Sequence, residues 1–281
     1  MAFTLTGFDG KVAVVTGAGR MRSIGRPIAL ALAQAGCDVV LTGTGRASGT
    51  YPKDEQDAGW RDIESVADEI RALGRRALPV ITSVTDPEAV DALVARVVAE
   101  FGRVDFLVNN AGASRGGDRV PVTELALETW KRVMDTNLNG TFYMSRAFAQ
   151  YMSAQGQGGA IVNISSLAAR LLAPDTGAYA ASKVAVNALT TIMAGELGPK
   201  NIRVNAVGPG IIDTSRLDDV PRGQVWNDMV STFIPLGRAG TGEDVANMVT
   251  FLCSEQAAWV TGQHIYVDGG HGATPRRPHS N

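Results

Sequence analysis

The chain has 281 residues, 45% hydrophobic and 19% charged, with 32 glycines and a formal net charge of −2, the composition of a globular chain with a full core. That charge gives no electrostatic footprint for nucleic acid, no apolar run approaches the roughly 18 residues of a membrane span, and residues 1–11 lack a basic-then-apolar signal pattern. A cytoplasmic chain without membrane or nucleic-acid partners is therefore expected, and two cysteines (Cys37, Cys253) with three scattered histidines suggest neither a disulfide framework nor a metal site.

Residues 11–16 form an apolar, β-branched run that ends in Gly17-Ala18-Gly19, the pattern of a buried parallel strand entering a glycine turn. Ile24-Gly25-Arg26-Pro27 then leads into an alanine- and leucine-rich helix that Gly36 ends, with Pro27 suited to a first helical turn. Residues 37–42 read as a second strand, which completes a βαβ unit. The bare N–H groups of such a turn and the helix N-terminus make a natural pyrophosphate site. The spacing departs from the common dinucleotide fingerprint, because Arg20-Met21-Arg22-Ser23-Ile24 separates Gly19 from Gly25. Taken alone, these residues also fit a glycine turn with no ligand.

Residues 43–61 are polar and glycine-rich and read as a long surface loop. A helix over 63–73 and a strand over 77–82 follow, then a helix capped by Asp86 and a strand over 104–108 that ends in Asn109-Asn110-Ala111-Gly112. Helical patterns at 123–135 and 138–153 precede a fifth strand, 160–164, which delivers Ser165 and Ser166. After the helix that carries Tyr179, residues 202–207 run as a strand into Gly208-Pro209-Gly210, and 264–267 make a seventh. The expected fold is α/β, a doubly wound parallel sheet of about seven strands with helices on both faces, Rossmann-like, in one domain over 1–270. Residues 271–281 read as a frayed tail. The polar groups fall at strand C-terminal ends, where open α/β sheets bind ligands.

Tyr179 and Lys183 stand at i and i+4, so a helix puts both on one face. A free tyrosine has a pKa of about 10. A nearby ammonium favours the phenolate and moves the group toward useful general acid/base chemistry. Ser166, on a neighbouring element, is placed to hold the oxygen with which Tyr179 exchanges its proton. Of the five tyrosines only Tyr179 has a lysine four residues on.

With these residues in place the chain resembles the short-chain dehydrogenase/reductase family over nearly its whole length. Thr16-Gly17-Ala18-Gly19 with Ile24-Gly25 resembles its cofactor loop, and Asn109-Asn110-Ala111-Gly112 its fourth-strand motif. Ser166, Tyr179 and Lys183 match its catalytic set, and Asn137 matches the asparagine that holds a water beside the lysine. Pro209-Gly210 and Thr214, with Ile212, match the stretch at the nicotinamide end. Pro235-Leu236-Gly237-Arg238 and the run from Val260 to Gly270 also look like the family. The resemblance implies that Ser166 orients the substrate oxygen, Tyr179 transfers the proton, and Lys183 lowers its pKa while binding the nicotinamide ribose. It implies a nicotinamide cofactor held by Gly17, Gly19, Arg20, Arg22, Ser23, Ile24, Gly25, Arg46, Asn110, Ala111 and Gly112 besides the residues above, a small carbonyl or alcohol substrate, and a homotetramer.

The departures matter too. From Gly17 to Ser23-Ile24 the loop is similar to that of enoyl-acyl-carrier reductases, a branch that pairs its tyrosine with a lysine seven residues on, where this chain has Val186. Ketone chemistry is favoured over C=C reduction, and a non-catalytic dinucleotide-binding protein is the third reading. Gly43 stands where NAD-specific relatives carry an acid, and Arg20, Arg22 and Arg46 lie near enough in sequence to meet a 2′-phosphate, so NADP(H) is expected, with NAD(H) possible. Residues 211–235, with Ile211, Ile212, Leu217, Trp226, Met229 and Phe233, are expected to form an apolar lid, where Arg216 and Arg222 either meet an anionic substrate or, the favoured reading, are solvated surface charges.

Overall fold

The computed structural model describes residues 4–273. Along the first half run β1 (Val12–Thr16), α1 (Gly25–Ala35), β2 (Asp38–Gly43), α2 (Lys53–Asp57), α3 (Ile63–Ala72), β3 (Ala77–Ile81), α4 (Pro87–Phe101) and β4 (Phe106–Asn109). The second half adds α5 (Leu127–Met134), α6 (Gly140–Gln155), β5 (Gly159–Ile164), α7 (Gly177–Leu197), β6 (Ile202–Pro209), α8 (Gln224–Phe233), α9 (Gly242–Cys253) and β7 (His264–Val267). All seven strands are parallel, in the order β3-β2-β1-β4-β5-β6-β7.

Alternation along the strands divides the interior into two cores. Ala13 and Val15 of β1 face Ile28 and Leu32 of α1, Val66 and Ile70 of α3, and Val245 and Val249 of α9. Val12 and Val14 face Val90, Leu93 and Val97 of α4 and Met144, Phe148 and Met152 of α6. With both faces covered, the central strands are buried throughout, which is why they read as unbroken apolar runs. The winding reverses between β1 and β4, which opens a crevice outside their C-terminal ends.

Three expectations need correction. Residues 43–61 do not make a solvated loop: they include α2, Tyr51 is buried, and the Glu55 side chain is 1% exposed. The helices expected at 123–135 and 138–153 are joined by a π-helical turn, Asp135–Asn139, whose extra residue turns Asn137 fully inward. At the expected tail, Gly270 N–H and Gly272 N–H donate to the Asp268 carboxylate and His271 stacks on Phe233, so the chain is held that far. Residues 274–281 of that tail lie outside the described residues. Among the described residues no helix is long and apolar enough to cross a membrane, and no cluster of ligating side chains fits a metal.

Candidate active site

The glycine turn after β1 is clamped from β4. Thr16 Oγ1 donates to Val108 O at 3.4 Å and accepts from Asn110 N–H and Ala111 N–H, both at 2.9 Å. Asn110 Nδ2 donates to Thr16 O at 2.8 Å and Gly17 O at 3.0 Å. Gly17 has φ +65°, and a Cβ there would lie 2.8 Å from Ala111 Cα, so backbone conformation and close approach both require glycine. Thr16 is a site residue that sequence reasoning quoted only as part of a motif; its hydroxyl links β1 and β4 across the crevice.

The first turn of α1 carries no acid and no side-chain cap from Ile24. Arg26 N–H is taken by Ser23 Oγ, which itself donates to Arg20 O. Pro27 has no N–H and Ile28 N–H bonds to Ile24 O, which leaves the Gly25 N–H and the positive helix end for an anion, so these residues fit a dinucleotide diphosphate.

The segment between β2 and α3 folds back over this loop. Glu55 accepts from Met21 N–H at 2.8 Å, Trp60 Nε1 donates to Gly19 O at 2.6 Å, and Arg22 Nε donates to Asp54 at 2.6 Å. Arg46 is ion-paired with buried Glu55 at 2.8 Å and with Asp62 at 3.2 Å, and its guanidinium lies over the Tyr51 ring. Arg22 is shared between Asp54 and Asp218. The three arginines expected to meet a 2′-phosphate are thus unequal, and only Arg20 lacks an ion pair among the described residues. Asp62 is the group that sequence reasoning missed. It has the strained φ of +54°, is 6% exposed, and presses its carboxylate against Gly19 and toward Gly43, where an ideal Cβ would sit 3.8 Å from Oδ2.

Ser166 follows β5 and Tyr179 rises from the first turn of α7, so sheet and helix bring them together. Ser166 Oγ accepts from Ala168 N–H at 3.1 Å and stands beside the Tyr179 phenol, close enough to favour its ionised form. Lys183, 5% exposed, donates from Nζ to Ile164 O at 2.7 Å and lies 5.9 Å from the Tyr179 ring centre. Burial by itself raises the Tyr179 pKa. Lys183, then Arg216, the Ser166 hydroxyl and Arg119 outweigh it and hold the phenol below its ordinary value. Burial lowers the Lys183 pKa, against the pull of Tyr179.

Asn137 does not bond to Lys183 directly. Its Oδ1 accepts from Ala113 N–H at 2.8 Å and its Nδ2 donates to Ser182 Oγ at 3.0 Å, which in turn donates to Tyr179 O at 2.7 Å. It ties the loop after β4 to the first turns of α7. Pro209 ends β6, and Ile212 and Thr214 are buried just beyond, with Ile212 bridged to Gly240. The expected lid carries α8; of its named apolar residues Ile212 is buried, Ile211, Leu217, Trp226 and Met229 are half-buried, and Phe233 is exposed. Arg216, read from sequence as a surface charge, instead places its guanidinium carbon 5.0 Å from the Tyr179 ring centre, and Arg119 does so at 4.6 Å. Arg222 does stay on the surface, over Trp226 and paired with Asp213.

Residues 17–272 match the family described as enoyl-(acyl carrier protein) reductase. The chain is 36% identical to 2-dehydro-3-deoxy-D-gluconate 5-dehydrogenase of Escherichia coli, over 96% of this chain and 97% of that one. It is 37% identical to the 3-oxoacyl-(acyl-carrier-protein) reductase of Thermotoga maritima, over 93% of this chain and 98% of that one. A solved structure of a 7α-hydroxysteroid dehydrogenase, complexed with NADH and 7-oxo glycochenodeoxycholic acid, superposes with a TM-score of 0.82. It is 36% identical and covers 96% of this chain and 97% of its own.

Proposed function

We propose that this chain, which belongs to the short-chain dehydrogenase/reductase family, interconverts a ketone and a secondary alcohol with Tyr179 as general acid/base. It is an NAD(P)-dependent oxidoreductase by family, and the cofactor, when bound, supplies or accepts the hydride. The carrying observation is the setting of the Tyr179 phenol beside Ser166, with Lys183 Nζ 5.9 Å and the Arg119 and Arg216 guanidinium carbons 4.6 and 5.0 Å from its ring centre, cations that favour the phenolate. In reduction Ser166 orients the carbonyl oxygen and Tyr179 gives it a proton as the carbon becomes a carbinol. In oxidation the Tyr179 phenolate takes the hydroxyl proton. Lys183 keeps the phenolate accessible, and Asn137 positions the helix that carries both.

The residues that would hold the cofactor are the α1 N-terminus with Gly17, Gly19, Arg20, Ser23 and Gly25 for the diphosphate, and the segment from Pro209 to Thr214 for the nicotinamide end. At the adenosine ribose the reading departs from the expectation of NADP(H). A carboxylate at the C-terminal end of β2 accepts from ribose hydroxyls and repels a 2′-phosphate, and Asp62 supports that role from a later segment. Arg46, already shared by two buried carboxylates, is poorly placed to meet a phosphate as well. NAD(H) is therefore the proposed cofactor, and the steroid dehydrogenase solved with NADH is a relative of this kind.

Enoyl reduction is the second reading, favoured by the description of the matching family. Against it, Val186 stands seven residues after Tyr179 and is fully buried, so no lysine reaches the site from there. Exposed apolar residues on α6 and α7 (Phe142, Val184 and Ile192) support a homo-oligomer, and two free, buried thiols agree with a cytoplasmic setting. Following cofactor absorbance across a panel of ketones, secondary alcohols and enoyl thioesters tests the reaction. Ketone or alcohol turnover is expected, and turnover of the enoyl thioesters alone would replace the first reading with the second.

A further inference from the structure

Given the oxidoreductase reading above, on which this rests, we propose that the substrate is an oxo or hydroxy acid whose anionic group is held between Arg119 and Arg216 beside Tyr179. Arg119 comes from the loop after β4 and Arg216 from the turn after β6, and both guanidinium groups lie over one ring, at 4.6 and 5.0 Å from its centre. Lys183 adds a third cation 5.9 Å from that centre. One carboxylate answers them: Asp118, 1% exposed, paired with Arg119 at 2.5 Å. Arg216 has no ion pair among the described residues. Its Nη1 donates to Ala113 O, while its Nη2 is buried with no hydrogen-bond partner.

A buried charged donor left unmade is costly, and like charges in a desolvated site repel strongly. The neighbouring acids do not relieve this, because Asp213 serves Arg222, Asp218 is shared by Arg22 and Arg222, and Asp219 serves Arg115. Burial, then repulsion from Arg216 and Arg115, pulls the Arg119 pKa down against Asp118 and Tyr179. Arg222 supplies the contrast, since it is exposed and answered by carboxylates. A substrate carboxylate would satisfy the open guanidinium donor and offset the excess positive charge. Because both guanidinium groups sit against the ring of the proton-transfer residue, the anion must lie close in the molecule to the reacting carbon. Arg216 also stands near enough to Arg20 of the glycine loop to be repelled by it. The rival anion for Arg216 is therefore the cofactor diphosphate, which shares the chemistry but not the consequence.

The test compares pyruvate, acetoacetate and levulinate, whose carboxylates lie α, β and γ to the ketone, with their methyl esters on the full chain with NADH. At least one acid is expected to exceed its own ester in kcat/KM by about 10–100-fold, the scale of a charge-assisted hydrogen bond. Arg119→Gln and Arg216→Gln should each cut that ratio about tenfold, as loss of one such bond implies. Dinucleotide affinity, titrated calorimetrically, should change less than the ratio. Acids no better than their esters, or a ratio that survives both substitutions, would overturn the anion site while leaving ketone reduction standing. So would an Arg216→Gln variant that loses dinucleotide affinity and keeps the ratio, which would assign Arg216 to the diphosphate. If neither acid nor ester turns over, the reaction fails for these ketones and binding to the NADH-loaded chain decides the site: tighter acid binding supports it, and equal or absent binding overturns it.

Discussion

Tyr179 and Lys183 are neighbours on one turn of α7 and Ser166 follows β5, while Arg119 and Arg216 reach the same ring through tertiary contacts. The lysine makes a sharp prediction. Alcohol oxidation needs the phenolate, so its rate should rise with pH through the Tyr179 pKa, which lies below the usual value of about 10. In Lys183→Met the leading counter to burial is gone, so that pKa rises and the oxidation profile should move to higher pH. A profile that stays where the wild type has it would remove Lys183 from the mechanism. At the ribose, the wild type should bind NADH more tightly than NADPH. Asp62→Asn should weaken NADH binding by about 1.5–3 kcal/mol, the worth of hydrogen bonds to a charged group. Calorimetric titration of both dinucleotides checks this, and tighter NADPH binding by the wild type would restore the reading drawn from Gly43.

At the scale of elements, the strands and most helices followed from apolar periodicity, down to the Asp86 cap of α4 that accepts from Glu88 N–H and Ala89 N–H. The segment from 43 to 61 was misread because it has no period of its own: Glu55 and Trp60 are bonded to the glycine loop, and of the two only Trp60 also packs against the core. The longer loop now has a reason. Arg20 to Ser23 is tied to the insert through Met21 and Arg22, and Arg22 O accepts from Ser215 N–H at 3.0 Å, which couples the loop to the segment after β6. Shortening Arg20-Met21-Arg22-Ser23 by two residues should therefore lower dinucleotide affinity while far-ultraviolet circular dichroism stays native, because the change sits at a turn and not in the core. Unchanged affinity would mean that the extra residues do not act on the cofactor.

Across the whole molecule, seven parallel strands with a reversal between β1 and β4 bring residues from five separate stretches to one crevice. Gly17 leaves β1, Asn110 leaves β4, Ser166 leaves β5, Tyr179 begins α7 and Thr214 follows β6. The alternation of strands and helices was enough to anticipate that convergence. The approach of the segment after β6 to the catalytic ring was not, because it depends on how the chain packs after leaving the sheet. Everything proposed for the crevice turns on one phenolic oxygen, so the most direct measurement is turnover and dinucleotide binding in Tyr179→Phe with the best ketone of the panel. Binding should stay close to the wild type and turnover should fall by about 10²–10⁴, the contribution of a positioned general acid/base. Near wild-type turnover by that variant would contradict that role.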